Sequence, residues 1–299
     1  MNRLLLVLVA GVCLLNTPSA GAVPIQPDQQ RYTVKFSGKA EVGLVLLVKK
    51  SSQSVTKLHL TDAQGQVLKD DKVTDRKELE YETEILKVAD NKVVKFSRTY
   101  TKAEIEQMGN KRTPSYKGRT VYFESKDGKM VVSVKGEPAL ADADKAELER
   151  EANDSEVNSD LDRALEPGKA IKIGESWTPD AKKLAAAFSK INHVVLDEDT
   201  LKASCKLLKV YTLNKKQWGS LEVTFDLPIK SADMITLESG STISMTGVME
   251  IPIDGSGGLG SARLKLKGKL KGDIQGIKLE AETDGTNEQT IEVKKKPEQ

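Results

Sequence analysis

The sequence predicts a mainly β protein, with two antiparallel β-sheet regions of sandwich or half-barrel type joined by an acidic helix. Many short segments alternate apolar and polar residues, which is the period-two pattern of a half-buried strand. Turn signals separate these segments at short intervals, as is typical of antiparallel sheets. One long stretch in the middle of the chain lacks the alternation and is rich in acidic residues and helix formers.

The first β region is predicted to span residues 31–137. In its opening segment RYTVKFSG, Tyr32, Val34 and Phe36 alternate with polar residues. Further along, GRTVYFES and KMVVSVKG flank the tripeptide Lys-Asp-Gly, a hairpin signal, because glycine adopts the positive φ that such turns require. We therefore expect an antiparallel meander.

The acidic connecting helix is predicted over residues 138–166. Val157, Leu161, Ala164 and Leu165 fall on one helical face within this stretch. A calcium-binding loop beginning at Asp142 would need glycine at its sixth position, where the chain has glutamate. The charge run is instead typical of a solvated helix that connects two sheets.

The second β region is predicted over residues 167–295, with a short helix near 179–189. Its segment SARLKLKGKLK alternates almost without error, placing leucines on one face and Lys265, Lys267 and Lys269 on the other. Glu280 and Glu282 on the following strand are available to neutralise this basic stripe. The sharper hypothesis is that the stripe binds an anionic partner, such as a phospholipid surface or an acidic glycan.

The N-terminal segment predicts export. Arg3 precedes the apolar run Leu4–Leu15, which is too short to span a bilayer, and Ala20–Ala22 supplies a small-x-small cleavage site. We expect a signal peptide at 1–22, a disordered leader at 23–30, no transmembrane segment in the mature chain, and a periplasmic or extracellular location. An uncleaved anchor is the alternative. Lipidation of Cys13 is disfavoured because valine precedes it.

Composition and motifs argue against several kinds of chemistry. The 46 basic and 44 acidic residues nearly balance, which disfavours nucleic-acid binding. After cleavage Cys205 is the remaining cysteine, and burial as a small apolar group is favoured over a catalytic pairing with His193. His59 and His193 lack metal-ligand companions at i+2 or i+4. We therefore expect a protein that is not an enzyme and that uses no cofactor and no metal.

The stretch DGSGGLGS at 254–261 has the G-x-G-x-x-G spacing of a dinucleotide-binding loop. That function requires a strand before the glycines and a helix after them. The segment that follows is strictly alternating and cannot form an amphipathic helix. The glycines are therefore interpreted as a hairpin connection between two antiparallel strands.

The segment Pro167–Trp177 reads PGKAIKIGESW. It resembles a motif of the type Pro-x-Lys-x-Val-x-Val-Gly-Asp-x-Trp, found in a group of secreted bacterial β-rich proteins of unknown function. The resemblance covers these 11 residues and implies a similar two-part β layout, but no activity. Physically, Gly174 would permit a bend and Trp177 would bury a large ring at a sheet edge, with a ligand platform as the alternative role for Trp177.

Three functional hypotheses follow. The first is a non-catalytic exported envelope or extracellular β-sheet protein with a structural or protein-interaction role. The second is a carrier for an apolar or lipid-like ligand enclosed by a curved sheet. The third and weaker one is a glycan-acting hydrolase, which requires two inward carboxylates about 5–10 Å apart. The sequence also leaves open whether the two β regions are separate sandwiches or one large barrel.

Overall fold

The computed structural model describes residues 30–36, 41–90, 92–136, 138–192, 194–213, 215–232, 235–255 and 260–294, without the side chains of 154–159 and 190–192. The predicted signal peptide, the predicted leader up to residue 29 and His193 lie outside the described residues. So do residues 256–259, at the centre of the glycine-rich stretch.

The predicted fold class is confirmed, because long antiparallel strands dominate the described chain. The first half contains β1 (Arg31–Tyr32), β2 (Val45–Thr61), β3 (Val67–Ala89), β4 (Lys92–Gln107), β5 (Asn110–Arg112), β6 (Thr120–Lys126), β7 (Lys129–Val134) and the acidic helix α1 (Asp142–Leu165). The second half contains β8 (Ile171–Lys172), β9 (Ser176–Trp177), the short helix α2 (Ala181–Asn192), β10 (Val194–Leu196), β11 (Lys202–Leu213), β12 (Lys216–Ala232), β13 (Thr236–Leu237), β14 (Thr242–Pro252), β15 (Ser261–Ile274) and β16 (Ile277–Lys294).

Among the described residues, both halves of the chain belong to one 14-stranded sheet. Its main path runs β7-β6-β4-β3-β2-β16-β15-β14-β12-β11-β9, and a separate two-stranded sheet pairs β1 with β8. The two halves meet where β16 pairs antiparallel with β2, over the full length from Lys278–Thr61 to Lys294–Val45. The path ends at β7 and β9, so the sheet is open rather than closed into a barrel, which answers the question that the sequence left open.

One face of the sheet is covered and the other is exposed. On the covered face, side chains of most strands enter one of two hydrophobic clusters. The first cluster lies mainly on the C-terminal strands and includes Leu207, Leu221, Leu227, Met245, Leu264 and Leu270. The second lies on the N-terminal strands and includes Val48, Leu79, Tyr81, Phe96, Tyr100, Tyr116, Val121 and Phe123.

Between the two clusters the covered face is polar. Ser54 and Thr56 on β2 lie there beside Thr283 and Gln289 on β16, and all four are buried. The Thr56 and Thr283 hydroxyls form a hydrogen bond of 2.9 Å. At the centre of the long sheet, polar side chains thus take the place of aliphatic ones.

Two helices cover this face. Helix α2 contributes Leu184, Ala185 and Phe188 to the first cluster. Helix α1 has 24 residues, about 36 Å at 1.5 Å per residue, and it reaches both clusters. Near the start of α1, Leu148 and Ala152 belong to the second cluster. At the end of α1, Ala164 and Leu165 belong to the first cluster.

The glycine-rich stretch connects antiparallel strands, as predicted. β14 and β15 pair antiparallel up to Glu250–Ser261, and the chain enters a strand directly after Gly260. The helix that a dinucleotide loop requires does not follow. Gly260 has a steric role, because a Cβ at this position would lie 1.8 Å from the Glu250 carbonyl oxygen.

Candidate functional site

Trp177 lies at the edge of the large sheet, where β9 pairs with β11 through Trp177–Cys205. Its ring is buried in the first cluster, and its Nε1 donates a hydrogen bond of 2.8 Å to the Leu165 carbonyl at the end of α1. The bend before it occurs at Gly174, whose φ of +84° favours glycine. Trp177 thus fastens the end of α1 to the sheet edge.

Lys265, Lys267 and Lys269 lie on the exposed face, in an alternating row along β15. In the pairing with β16 they stand opposite Thr286, Asp284 and Glu282 respectively. The Lys269 ammonium lies 3.6 Å from the Glu282 carboxylate, and Lys271 lies 2.6 Å from Glu280. Acidic neighbours therefore balance part of this row, as the sequence suggested.

The structure brings together a cluster of charges that sequence reasoning missed. Lys50 on β2, Lys77 on β3 and Arg98 on β4, here called the cation triad, converge on the single carboxylate of Glu151 on α1. The distances to the Glu151 oxygens are 3.2 Å from Lys50 Nζ, 3.4 Å from Lys77 Nζ and 3.0 Å from Arg98 Nη1. One helix carboxylate thus joins three adjacent strands.

Two further carboxylates of α1 extend the cluster towards the start of the helix. Glu147 accepts hydrogen bonds from Lys77 Nζ at 2.8 Å and from Arg112 Nη2 at 2.7 Å. Asp144 pairs with Arg112 and accepts hydrogen bonds from the Ser115 backbone NH at 2.6 Å and hydroxyl at 2.7 Å. Because Asp144, Glu147 and Glu151 are spaced by three and four residues, they share one helical face.

The sequence contained a signal for the cation triad. Arg98 has the same strand parity as Phe96 and Tyr100, so it points to the covered face with them. Lys77 shares the parity of Leu79 and Tyr81 in the same way, and Lys50 shares that of Val48. A charged residue on the same face of a strand as buried apolar residues is itself expected to be buried. A buried charge needs a partner, which here comes from another element.

Aromatic rings surround the Arg98 guanidinium. Its Cζ lies 4.9 Å from the ring centroid of Tyr81, 5.3 Å from that of Phe96 and 5.0 Å from that of Phe123. Such distances allow cation–π attraction, which is stronger away from water. Tyr100 continues the aromatic surface, with its ring centroid 5.0 Å from that of Tyr81.

Glu151 and the basic side chains around it favour one another's charged forms. Burial alone would raise the pKa of Glu151, but Lys50, Lys77 and Arg98 outweigh it and hold that pKa well below its usual range. Burial also acts to lower the pKa of Lys77, and Glu151 and Glu147 reverse the effect and raise it. Glu151 and Lys77 are therefore both ionised at neutral pH.

Several buried polar atoms near the cluster have no hydrogen-bond partner within the described part of the chain. They are Arg98 Nε and Tyr116 Oη beside the aromatic rings, and Ser54 Oγ and Gln289 Oε1 on the polar centre of the covered face. Unpaired buried polar groups are costly, so native proteins keep few of them. Two of them, Arg98 Nε and Tyr116 Oη, belong to residues beside the charged groups that join α1 to the sheet.

Helix α1 also covers the edge of the sheet. The backbone NH groups of Met130 and Val132 on β7 donate to Asn153 Oδ1 at 2.8 Å and to Glu149 Oε1 at 3.1 Å. The Asn153 amide returns a hydrogen bond of 3.4 Å to the Met130 carbonyl. The side chains of α1 thus occupy edge groups that could otherwise pair with another strand.

The thiol considered from the sequence as a nucleophile lies apart from these charges, and its candidate base, His193, lies outside the described residues. Cys205 is buried in the first cluster, and burial raises its pKa to about 12. His59 lies on the exposed face with its Nδ1 3.5 Å from Asp70 Oδ2. In the part of the chain that is described, no group of three or more His, Cys, Asp or Glu residues could hold a metal ion.

Over the described ranges, no helix combines the length and the hydropathy needed to cross a membrane. No family model matches the sequence, and no curated protein matches it.

Two solved structures show weak likenesses. A lipovitellin structure described by its lipid–protein interactions is similar with a TM-score of 0.43 and 9 % identity, over 87 % of this chain and 26 % of that chain. This chain thus spans about a quarter of the length of that lipovitellin chain. An outer membrane channel from Pseudomonas putida F1 is similar with a TM-score of 0.19 and 11 % identity, over 89 % of this chain and 100 % of the channel chain.

Proposed function

We propose that this protein is a non-catalytic, exported carrier that binds an apolar or lipid-like ligand between helix α1 and the covered face of the sheet. The proposal rests on the kind of contacts that attach helix α1 to the sheet. Helix α1 lies over aromatic rings but is joined to the sheet largely by charged side chains. A cover fastened in this way can be exchanged for a ligand at less cost in apolar contacts than a fully aliphatic one.

The absence of catalysis belongs to the proposal and has its own support. A general acid at neutral pH needs a carboxyl whose pKa is raised. The pKa values of Asp144 and Glu151 are instead lowered despite burial, and Asp162, whose pKa burial raises to about 7, lies near the end of α1, apart from these groups. The buried Cys205 thiol, with its raised pKa, is a poor nucleophile.

Export is proposed from the sequence, and first from the features of its N-terminal segment. The resemblance of Pro167–Trp177 to secreted bacterial proteins supports the same location. N-terminal sequencing of the protein from the medium or periplasm of a bacterial host is expected to begin at Val23, after cleavage behind Ala22. An intact N-terminus in the cytoplasm would contradict export.

The carrier proposal is tested by native mass spectrometry of the full chain after purification without detergent. We expect an adduct of lipid mass that is lost after extraction with organic solvent. The extracted protein should then bind the neutral apolar dye N-phenyl-1-naphthylamine with a rise in fluorescence. Neither an adduct nor dye binding in any preparation would contradict a carrier.

A structural or protein-interaction role is the second candidate. It is favoured by the row of Lys265, Lys267 and Lys269, which is exposed on a face that no described element covers. Under this alternative, replacing the three lysines with glutamine would abolish retention of the protein in an envelope fraction, whereas dye binding would be absent from the start.

A further inference from the structure

We propose that the ligand carries an anionic head, which takes the place of the Glu151 carboxylate on the cation triad and displaces the first half of α1. The inference rests on the proposed carrier function and names the ligand class for that site: an amphiphile with a carboxylate or phosphate head. Glu151 is then an internal substitute for the ligand head.

The first argument is the origin of the charges. Lys50, Lys77 and Arg98 belong to three adjacent strands and are fixed by the sheet, whereas the carboxylate comes from a separate helix. Arg98 is only 9 % exposed. A charge so placed is costly to leave unpaired, so the site favours an anion whether or not Glu151 supplies it.

The second argument is the shape of the α1 surface that faces the sheet. Glu151 provides an acidic group, and Leu148 and Ala152 lie beside it, at i−3 and i+1, within the second cluster. This surface combines a negative charge with apolar groups that belong to the same cluster as the rings of Tyr100 and Phe123. An amphiphile has the same combination, with its head on the cations and its alkyl chain on the rings.

The third argument is the unused hydrogen-bonding capacity of the site. Arg98 Nε and Tyr116 Oη are buried and unpartnered among the described residues, although Arg98 Nη1 already binds Glu151. A head that lies deeper than the Glu151 side chain can accept from both donors. Charge-assisted hydrogen bonds of this kind are among the stronger ones in proteins.

The binding experiment uses three probes with the same alkyl chain, each below its critical micelle concentration. Oleate tests a carboxylate head, 1-oleoyl-lysophosphatidate tests a phosphate head, and oleyl alcohol supplies the chain without a charge. We expect at least one anionic probe to displace the naphthylamine dye about tenfold or more better than the alcohol. The stronger of the two anions identifies the head.

Hydrogen exchange of the wild-type protein then tests displacement of the helix. With a saturating anionic probe, the amides of residues 144–153 on α1 should exchange faster, whereas those of 181–189 on α2 should not change. Tight anion binding that leaves exchange in α1 unchanged or slower would overturn the displacement of Glu151.

Variants of the site provide the second test. Glu151→Gln removes the competing charge and is expected to tighten oleate binding about tenfold. Lys50→Gln should weaken oleate binding without weakening that of oleyl alcohol. Its matched control is Lys49→Gln, since Lys49 is the preceding lysine on the same strand and points to the exposed face, 3.9 Å from Glu80. If Glu151→Gln does not fold, the wild-type probe series and the lysine pair still decide.

The outcomes separate this inference from the proposed function. Equal binding of oleate and oleyl alcohol, with no effect of Lys50→Gln, would leave the carrier proposal standing and overturn the anionic head. Failure of every probe and of the neutral dye would overturn both.

Discussion

Helices α1 and α2 cover the same face of one sheet, and different forces hold them there. Helix α2 buries Leu184, Ala185 and Phe188, and the Phe188 ring meets Phe225 at a centroid distance of 6.2 Å. The first half of α1 is instead joined to the sheet by Asp144, Glu147 and Glu151, with Leu148 and Ala152 as its apolar contacts.

The difference concerns the reversibility of each contact. Aliphatic burial is non-directional and changes little with pH or moderate salt. Buried ion pairs gain little net free energy, because the cost of desolvation offsets the Coulomb attraction, yet breaking one side of a pair is costly. Helix α2 is thus a permanent part of the core, whereas α1 is a cover whose contacts another anion can replace.

The largest effect is expected from Glu151→Ala. It leaves the cation triad without its shared carboxylate, which should lower the free energy of unfolding by about 3–5 kcal/mol. Urea denaturation measures the change. The control Asp142→Ala removes an exposed acid in the first turn of α1 and should cost less than about 1 kcal/mol. An equal loss of unfolding free energy in the two variants would show that the Glu151 ion pairs contribute no more to stability than an exposed acid does.

Shortening a buried side chain of α2 should lower the free energy of unfolding by a similar or smaller amount, but with a different dependence on pH. Leu184→Ala removes a fully buried side chain and should cost about 2–5 kcal/mol. That loss should stay constant between pH 7 and pH 3, whereas the loss from Glu151→Ala should shrink. Leu208→Ala, at a side chain that is 37 % exposed, is the control and should change stability little.

Acid should weaken α1 before α2. The pKa values of Asp144 and Glu151 are lowered in the folded protein, so their contribution is complete above the unfolded pKa, about pH 4, and is lost as the pH falls through the folded pKa. Asp162 acts in the opposite sense above pH 4, because burial raises its pKa to about 7. The measurement is therefore hydrogen exchange below pH 4, where α1 should lose protection first. Simultaneous loss of exchange protection from α1 and α2 would contradict this prediction.

A smaller effect is expected where α1 ends. Trp177→Phe removes the hydrogen bond to the Leu165 carbonyl and should cost about 1–3 kcal/mol. Trp218→Phe is a matched control, because Trp218 Nε1 is buried without a hydrogen-bond partner among the described residues. Thermal denaturation should therefore rank Trp177→Phe as the more damaging substitution. The reverse order would show that the hydrogen bond does not fasten the helix.

Much of this fold could be predicted from local patterns. The alternation of SARLKLKGKLK correctly placed its lysines on an exposed face, and the hairpin signal at Asp127-Gly128 correctly placed a turn between β6 and β7. The union of the two halves could not be predicted, because β2 and β16 are more than 200 residues apart and either could have been an edge strand. Pairing over such a separation depends on the whole sheet.

The site was harder to predict than the fold. The acidic stretch beginning at Asp142 is typical of a solvated helix, because runs of charged residues usually form exposed faces, and nothing local shows that its carboxylates are buried. The partners of these carboxylates are basic residues on the buried faces of distant strands, such as Arg98 between Phe96 and Tyr100. Each half of the pattern was visible in the sequence, but only the folded chain brings the two together.

Whether α1 is a separable cover can be measured by native-state hydrogen exchange of the free protein at pH 7, in low and increasing denaturant. We expect the amides of residues 144–153 on α1 to exchange through a local opening, at a lower free energy than those of 181–189 on α2, which should require global unfolding. If both helices exchange only with global unfolding and at the same free energy, α1 is an integral part of the core and not a separable cover.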